Sequence, residues 1–485
     1  MMAITALKNY IAGAWVASQS SEILDVHNPA TGEVIARVPL STVEEVNRAV
    51  VAAKEAFQEW RETPPLVRAR YMFRLKALME EHFEDLARTC TREHGKILDE
   101  ARGEVRRAIE NVEVAAGVPS LMMGYNAEDI AVGIDEECVL QPVGVFCCVA
   151  PFNFPAMVPF WFMPYAIACG NTYIVKPSEV CPISQNRLFE LLDEADFPPG
   201  VVNLVNGAKG VVDALLTHPD LAGVSFVGST PVGKYIYATA AANGKRAQCQ
   251  AGAKNCLVVM PDAVLERTVA ALLTSAFGNT GQRCLSGALV LAVGEVYEPL
   301  KALLVEAASR LTVGDGLDEA IQMGPVISRK ALDRILGYVE KGLEEGAKLI
   351  LDGRGVQVEG YPDGYFIGPT IFDQVRPEMV IAREEIFGPV LGIIPVADFE
   401  EALSIIEDIP YGNAVSLFTS SGKWTREFKY RVRCGNIGIN IGIAAPIATF
   451  PFAGMKDSFF GDLHGQGRDA IQFFTDRKVV ITRWF

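Results

Sequence analysis

Two rhythms of apolar and polar residues run along this 485-residue chain. Across residues 46–117 apolar side chains recur at three- and four-residue intervals with charges between them, which predicts amphipathic helices. From Val143 to Gly170 no charged residue occurs. That run is long enough to span a membrane, but Pro151, Pro155, Pro159 and Pro164 interrupt it. Each proline removes a backbone donor and kinks a helix. The run therefore reads as a buried strand (Val143–Val149), a loop (Ala150–Asn153) and a buried helix. Beyond it, short apolar runs at Thr172–Val175, Val201–Val205 and Gly223–Val227 alternate with helical patterns at Ser184–Ala195, Gly210–Thr217 and Pro231–Asn243. This alternation predicts parallel strands joined by crossover helices. Gly281–Glu295, Met323–Val326, Gly368–Phe372 and Val390–Pro395 predict a second α/β unit. No repeat of 20–50 residues is visible.

Length and composition narrow the picture. At about 100–200 residues per domain the chain divides into two to four domains. Apolar types make up 50% and charged types 21%, a globular balance. Basic residues number 44 against 59 acidic, a formal charge of −15 with no Lys/Arg block, which excludes nucleic acid and anionic membranes as partners. The ten cysteines include no C-x-x-C pair, and the scattered His27, His82, His94, His218 and His464 give no zinc spacing, so no metal is expected. Met1 to Tyr10 lacks a charged segment followed by an apolar core, so no export signal is read there and a cytoplasmic location is expected.

Five segments could carry chemistry. Gly228-Ser229-Thr230 follows a strand and opens a helix, whose free N–H groups and positive dipole end suit a phosphate; a plain capped turn is the alternative. Lys176 and Glu179 sit at a strand's carboxyl end, where open α/β sheets bind ligands, and could hold ribose hydroxyls; the alternative is a solvated loop. A carboxylate there would repel a 2′-phosphate and favour NAD over NADP. Cys284, approached by Gly278-Asn279-Thr280-Gly281 and adjoining Arg283, is the best placed of the cysteines for thiolate chemistry, although most free cysteines are inert core residues. Asn153 is a lone amide in apolar surroundings, either a satisfied loop cap or an oxyanion donor. Glu385, with Phe387 after it, could hold a second ribose and flank a ring, or simply turn the chain into a strand.

Taken in order, these segments resemble the aldehyde dehydrogenase superfamily. The resemblance runs from Asn28-Pro29-Ala30-Thr31-Gly32-Glu33 to the C-terminal strand and includes Pro451-Phe452-Ala453-Gly454-Met455-Lys456. It implies an α/β subunit with a Rossmann-type NAD-binding domain (residues 1–120 and 140–250), a catalytic domain (251–445) and a small β oligomerisation arm (121–139 and 446–485), assembled as homodimers or homotetramers. It also implies Cys284 as nucleophile and Asn153 as oxyanion donor. The NAD site it implies contains Ala150, Phe152, Lys176, Glu179, Gly228, Ser229, Glu385 and Phe387.

One departure is informative. Hydrolytic members usually carry Glu-Leu-Gly-Gly-Lys before the nucleophile, with that glutamate as base for water. Here the stretch reads Gln250-Ala251-Gly252-Ala253-Lys254. A neutral amide cannot take a proton from water near pH 7. The chain is most similar to the branch that lacks this base and passes its acyl group to coenzyme A, acting on malonate or methylmalonate semialdehyde. Gly252-Ala253-Lys254-Asn255, Ile109-Glu110-Asn111-Val112-Glu113 and Ser458-Phe459-Phe460-Gly461-Asp462-Leu463-His464 carry that resemblance. It implies Arg107 and Arg283 as the clamp on the substrate carboxylate, a role that suits a planar bidentate guanidinium. The competing readings are a hydrolytic dehydrogenase with another base, such as Glu385, and a non-catalytic relative on the same scaffold.

Overall fold

The computed structural model describes residues 4–485; Met1–Ala3, the start of the segment read for an export signal, lie outside the described residues. The helical pattern of the N-terminal third becomes four helices, Val43–Trp60, Pro65–Glu81, Phe83–His94 and Leu98–Ala116. The first opens on a capping box: the Thr42 hydroxyl accepts from Glu45 N–H (3.3 Å), and the Glu45 carboxylate accepts from Thr42 N–H (2.8 Å). The third ends at Gly95, at φ +92°, where a Cβ would stand 2.7 Å from the Pro325 ring.

The first sheet has the spatial order Phe459–Phe460, Arg246–Gln250, Leu221–Val227, Val145–Val149, Thr172–Lys176, Val202–Leu204, Asn9–Ile11, Ala14–Val16. Its five central strands are parallel. Among these five strands the chain starts in the middle, at Val145–Val149, runs outward through Thr172–Lys176 and Val202–Leu204, and returns to Leu221–Val227 on the other side. Two adjacent strands therefore send their following loops in opposite directions, which opens a crevice at their carboxyl ends. The charge-free run resolves into Val145–Val149 and two short buried helices, Met157–Phe160 and Met163–Cys169. Among the described residues no helix is long and apolar enough to cross a membrane.

The second sheet has the order Lys348–Leu351, Thr370–Asp373, Val390–Val396, Gly287–Val293, Asn255–Val259, Ala414–Phe418, Asn436–Ile439. Only Lys348–Leu351 runs antiparallel to its neighbour. The strand expected at Met323–Val326 does not form there; Met323 makes one isolated bridge to Val313. Pro325 brings no N–H to a ladder. Gly324 instead packs its backbone against Gly95, where a Cβ would meet the carbonyl oxygen at 1.9 Å. Each sheet is covered on both faces by apolar clusters. Thr475–Arg483, Ile134–Pro142 and Tyr125–Ala131 form a separate antiparallel ribbon. Several of its apolar side chains are exposed, among them Tyr125, Ile130, Val479 and Ile481.

A buried ion pair fastens the helices to the first crevice. Lys96 and Glu104 are both fully buried, with Nζ 2.6 Å from Oε2. The same ammonium donates to the Asn153 carbonyl (2.7 Å) and lies 4.1 Å from the Phe154 ring centroid. Glu104 Oε1 accepts from the Ala156 and Met157 N–H groups (2.8 and 3.1 Å). The loop after Val145–Val149 thus hangs on one pair of charges. Because removing one member of such a pair strands the other, Glu104→Ala is expected to lower stability in urea unfolding by about 3–5 kcal/mol. A loss below about 1 kcal/mol would show that Lys96 needs no partner.

Candidate active site

The crevice of the first sheet opens into a cleft of about 920 Å³, bounded on its far side by the second sheet's domain. Ala150, Phe152, Lys176, Glu179, Gly228, Ser229, Glu385 and Phe387 all border it, as do Asn153 and Cys284. Lys176 Nζ stands 2.9 Å from Glu179 Oε2. Burial pushes the Glu179 carboxyl up, but the Lys176 ammonium outweighs it and leaves the group below the ordinary carboxylate range. An anion on this wall suits ribose hydroxyls and opposes an added phosphate. Ser229 precedes the helix Thr230–Ala242 in extended conformation (φ −70°, ψ 149°) and its side chain makes no capping bond. The helix start keeps its free N–H groups and positive end for a ligand. Cleft size, anionic wall and uncapped helix start fit a dinucleotide.

Cys284 stands at the end of a left-handed turn. Asn279 and Thr280 both adopt φ +53° and Gly281 φ +68°. A Cβ on Gly281 would stand 2.1 Å from the Gly388 carbonyl oxygen, so only glycine fits this approach. The Cys284 carbonyl accepts from the side-chain amides of Asn255 and Asn413, each at 2.8 Å. Asn153 donates one amide hydrogen to the Gln282 carbonyl (3.1 Å), which leaves the second hydrogen to offer. Its own carbonyl is held by Lys96 and by Asn279 Nδ2 (3.3 Å).

Electrostatics at the thiol differ from the expectation that Arg283 supplies thiolate character. Arg283 does favour the anion, but burial and the charge of Glu385 outweigh it and push the Cys284 thiol up to about 12. Glu385 is itself pushed up to about 7 by burial, against the Ala253 N–H (3.0 Å) and the Lys254 ammonium.

On the other side of Cys284 lies a second cavity of about 240 Å³. Arg107 and Arg283 both border it, with Phe154, Trp161 and Phe452 forming much of its apolar wall. Arg107 pairs with Glu110 (2.8 Å), and the Arg283 guanidinium lies 5.8 Å from the Phe154 ring centroid. Cys284 borders both cavities, so a single residue joins the large cleft and the small one.

Gln250 borders neither cavity and is 3% exposed. With the amide oriented to match its neighbours, it is used by the fold: Nε2 donates to the Phe226 carbonyl (2.9 Å) and Oε1 accepts from Gly465 N–H (3.0 Å). The side chain is both neutral and tied down.

Sequence reasoning missed Lys96, Glu100, Glu104, Asn255 and Asn413. A signal existed for Glu104. It falls on the stripe Leu98, Ala101, Val105, Ala108, Val112 of its helix, where a charge is out of place unless paired. Asn255 and Asn413 carry no comparable mark, because their partners are backbone carbonyls distant in sequence.

Comparison with known proteins agrees with this architecture. The model of the aldehyde dehydrogenase family matches residues 15–480. Malonate-semialdehyde dehydrogenase 1 of Geobacillus thermodenitrificans is 49% identical over 482 residues, covering 99% of each chain. The crystal structure of methylmalonate-semialdehyde dehydrogenase from Oceanimonas doudoroffii superposes with a TM-score of 0.98 at 44% identity, covering 99% of each chain. An NAD⁺ complex of an aldehyde dehydrogenase from Bacillus cereus superposes at 0.94 with 32% identity, covering 99% of this chain and 96% of that one. With its two parallel sheets, its crevice at the strand reversal and these full-length likenesses, the chain belongs to the aldehyde dehydrogenase family.

Proposed function

We propose that this chain is an NAD-dependent, coenzyme A-acylating dehydrogenase that oxidises and decarboxylates malonate or methylmalonate semialdehyde to acetyl- or propionyl-coenzyme A. The observation that carries this reading is the pair of arginines, Arg107 and Arg283, bordering the same small cavity as Cys284. A neutral aldehyde needs no such cations, whereas a 3-oxo acid does. Relatives about 50% identical along the full chain bear the matching name, and the neutral, bonded Gln250 supports an acyl group that water does not remove.

The residues divide the work as follows. Cys284 gives up its proton to water and its thiolate attacks the aldehyde carbon, while Arg107 and Arg283 hold the carboxylate. Asn153 and the Cys284 N–H stabilise the oxyanion. NAD, when bound in the cleft, accepts the hydride. Lys176 and Glu179 would hold its adenosine ribose, Ser229 its diphosphate, and Glu385 with Phe387 its nicotinamide end, with Ala150, Phe152 and Gly228 bordering the same cleft. The Cys284 thioester then loses carbon dioxide from its β-carboxylate, because the same oxyanion donors stabilise the enolate. Coenzyme A takes the acyl group. A single methyl group is worth only about 1–3 kcal/mol of discrimination, so both semialdehydes fall within this reading. It also assigns residues 1–120 and 140–250 to NAD binding, 251–445 to catalysis, and 121–139 with 446–485 to an arm joining a cytoplasmic homodimer or homotetramer. Glu385, near neutrality in the large cleft, favours a second reading, in which it serves as base for hydrolysis.

Two outcomes test the assignment. Loss of a charged hydrogen bond costs about 1.5–3 kcal/mol, so Arg107→Leu is expected to raise KM for malonate semialdehyde roughly 10–100-fold and that for propanal far less. Equal effects on the two would reject the clamp. Because burial and Glu385 hold the thiol proton on, the rate of Cys284 alkylation by iodoacetamide is expected to climb still beyond pH 9. In Glu385→Gln the profile moves to lower pH; a plateau below pH 7 in the unaltered enzyme would contradict this electrostatic picture.

A further inference from the structure

Three carboxylates surround the two arginines, and they differ in what they have left to offer. Glu104 is spent: Lys96 holds one oxygen, and the Ala156 and Met157 N–H groups hold the other. Glu110 pairs with Arg107 and does not border the cavity. Glu100 does border it. Its Oε1 accepts from Asn279 N–H (2.5 Å) and lies 3.8 Å from Arg283 Nη2. The Ile97 N–H also favours this carboxylate, but no side chain among the described residues hydrogen-bonds its Oε2. A carboxylate held only by backbone N–H groups and set beside Arg283 in a pocket shaped for a substrate carboxylate works against binding unless it does something else.

Charge supplies the reason. Arg107, Arg283 and Lys96 face Glu100, Glu104 and Glu110, so the groups balance before any substrate enters. An incoming carboxylate adds a negative charge beside Glu100 and favours a proton on it. Burial already raises this carboxyl's proton affinity, against Arg283, the Asn279 N–H, Lys96 and the Ile97 N–H.

We propose that Glu100 is the catalytic acid that protonates C2 of the thioester enolate left when carbon dioxide departs. The inference rests on the decarboxylating function proposed above. The bond between C2 and the carboxylate carbon breaks, its electron pair moves onto C2 and the thioester oxygen, and neutral carbon dioxide leaves. The Glu100 proton then forms the new C2–H bond, and the resulting carboxylate recovers a proton from water. In sum, one carboxylate and one proton become one C–H bond and carbon dioxide, with no oxidant or reductant required. A fixed donor also delivers its proton to one face of C2.

The test uses the full-length enzyme and Glu100→Gln, whose amide oxygen can still accept from Asn279 N–H. Active sites are counted by the NADH burst. The ratio of acetyl-coenzyme A formation from malonate semialdehyde to propionyl-coenzyme A formation from propanal, which loses no carbon dioxide, is expected to fall about 10²-fold. An unchanged ratio overturns the proposal, including the case where both rates fall together as in a merely structural role. A second measurement needs no variant. In D₂O, methylmalonate semialdehyde is expected to give one enantiomer of 2-deuteriopropionyl-coenzyme A with the unaltered enzyme, and racemic product overturns the assignment. If the unaltered enzyme releases no carbon dioxide from either semialdehyde, the proposed function itself falls, and the acid with it. If it releases carbon dioxide while the ratio in Glu100→Gln stays put, only the acid falls.

Discussion

On the function proposed, one sulfur atom must be reachable from two sides at once, and much of the structure follows from that constraint. A hydride acceptor needs a broad cleft with a helix start and an anionic wall. A small acid needs a narrow pocket with cations. Cys284 borders both spaces. It is held there by backbone rather than by its own side chain: three successive residues in left-handed conformation and two asparagine amides on its carbonyl. Left-handed non-glycine residues cost of order 1–3 kcal/mol each and persist where surrounding structure over-determines them. Here the Gly281–Gly388 contact and the Asn255 and Asn413 bonds supply that constraint.

Buried charge is the second theme. Lys96 and Glu104 are removed from water altogether, and their remaining hydrogen-bonding capacity goes to the loop that carries Asn153. The pair acts less as a source of net stability than as a fastener, since a buried ion pair seldom repays its desolvation. Burial likewise raises Glu385 and the Cys284 thiol, and the charge of Glu385 further opposes ionisation of the thiol.

Local pattern made the parallel sheet of the first domain legible, because Val145–Val149, Thr172–Lys176 and Leu221–Val227 are short apolar runs closed by turn residues. Gly228–Ser229 and Lys176–Glu179 could be placed at strand ends for the same reason. Met323–Val326 misled because an apolar run does not distinguish a strand from a segment packed as backbone against Gly95. The neutrality of Gln250 is written in the sequence, but its attachment to Phe226 and Gly465 is not, since Gly465 lies over two hundred positions away. Glu100 and Glu104 were passed over because charges on an amphipathic helix ordinarily face solvent, and Lys96 because a lysine in the short loop between two helices ordinarily does so too. Only the stripe position of Glu104 argued otherwise.

On the function proposed, the neutral and bonded Gln250 leaves the acyl-enzyme waiting for a thiol. The most direct measurement is NADH formation from malonate semialdehyde followed through the first turnover and beyond, with coenzyme A withheld and then added. A burst equal to the number of Cys284 sites, then a near halt that coenzyme A relieves at once with acetyl-coenzyme A as product, is the expected result. Continued NADH formation at the full rate without coenzyme A, with free acid accumulating, would contradict it.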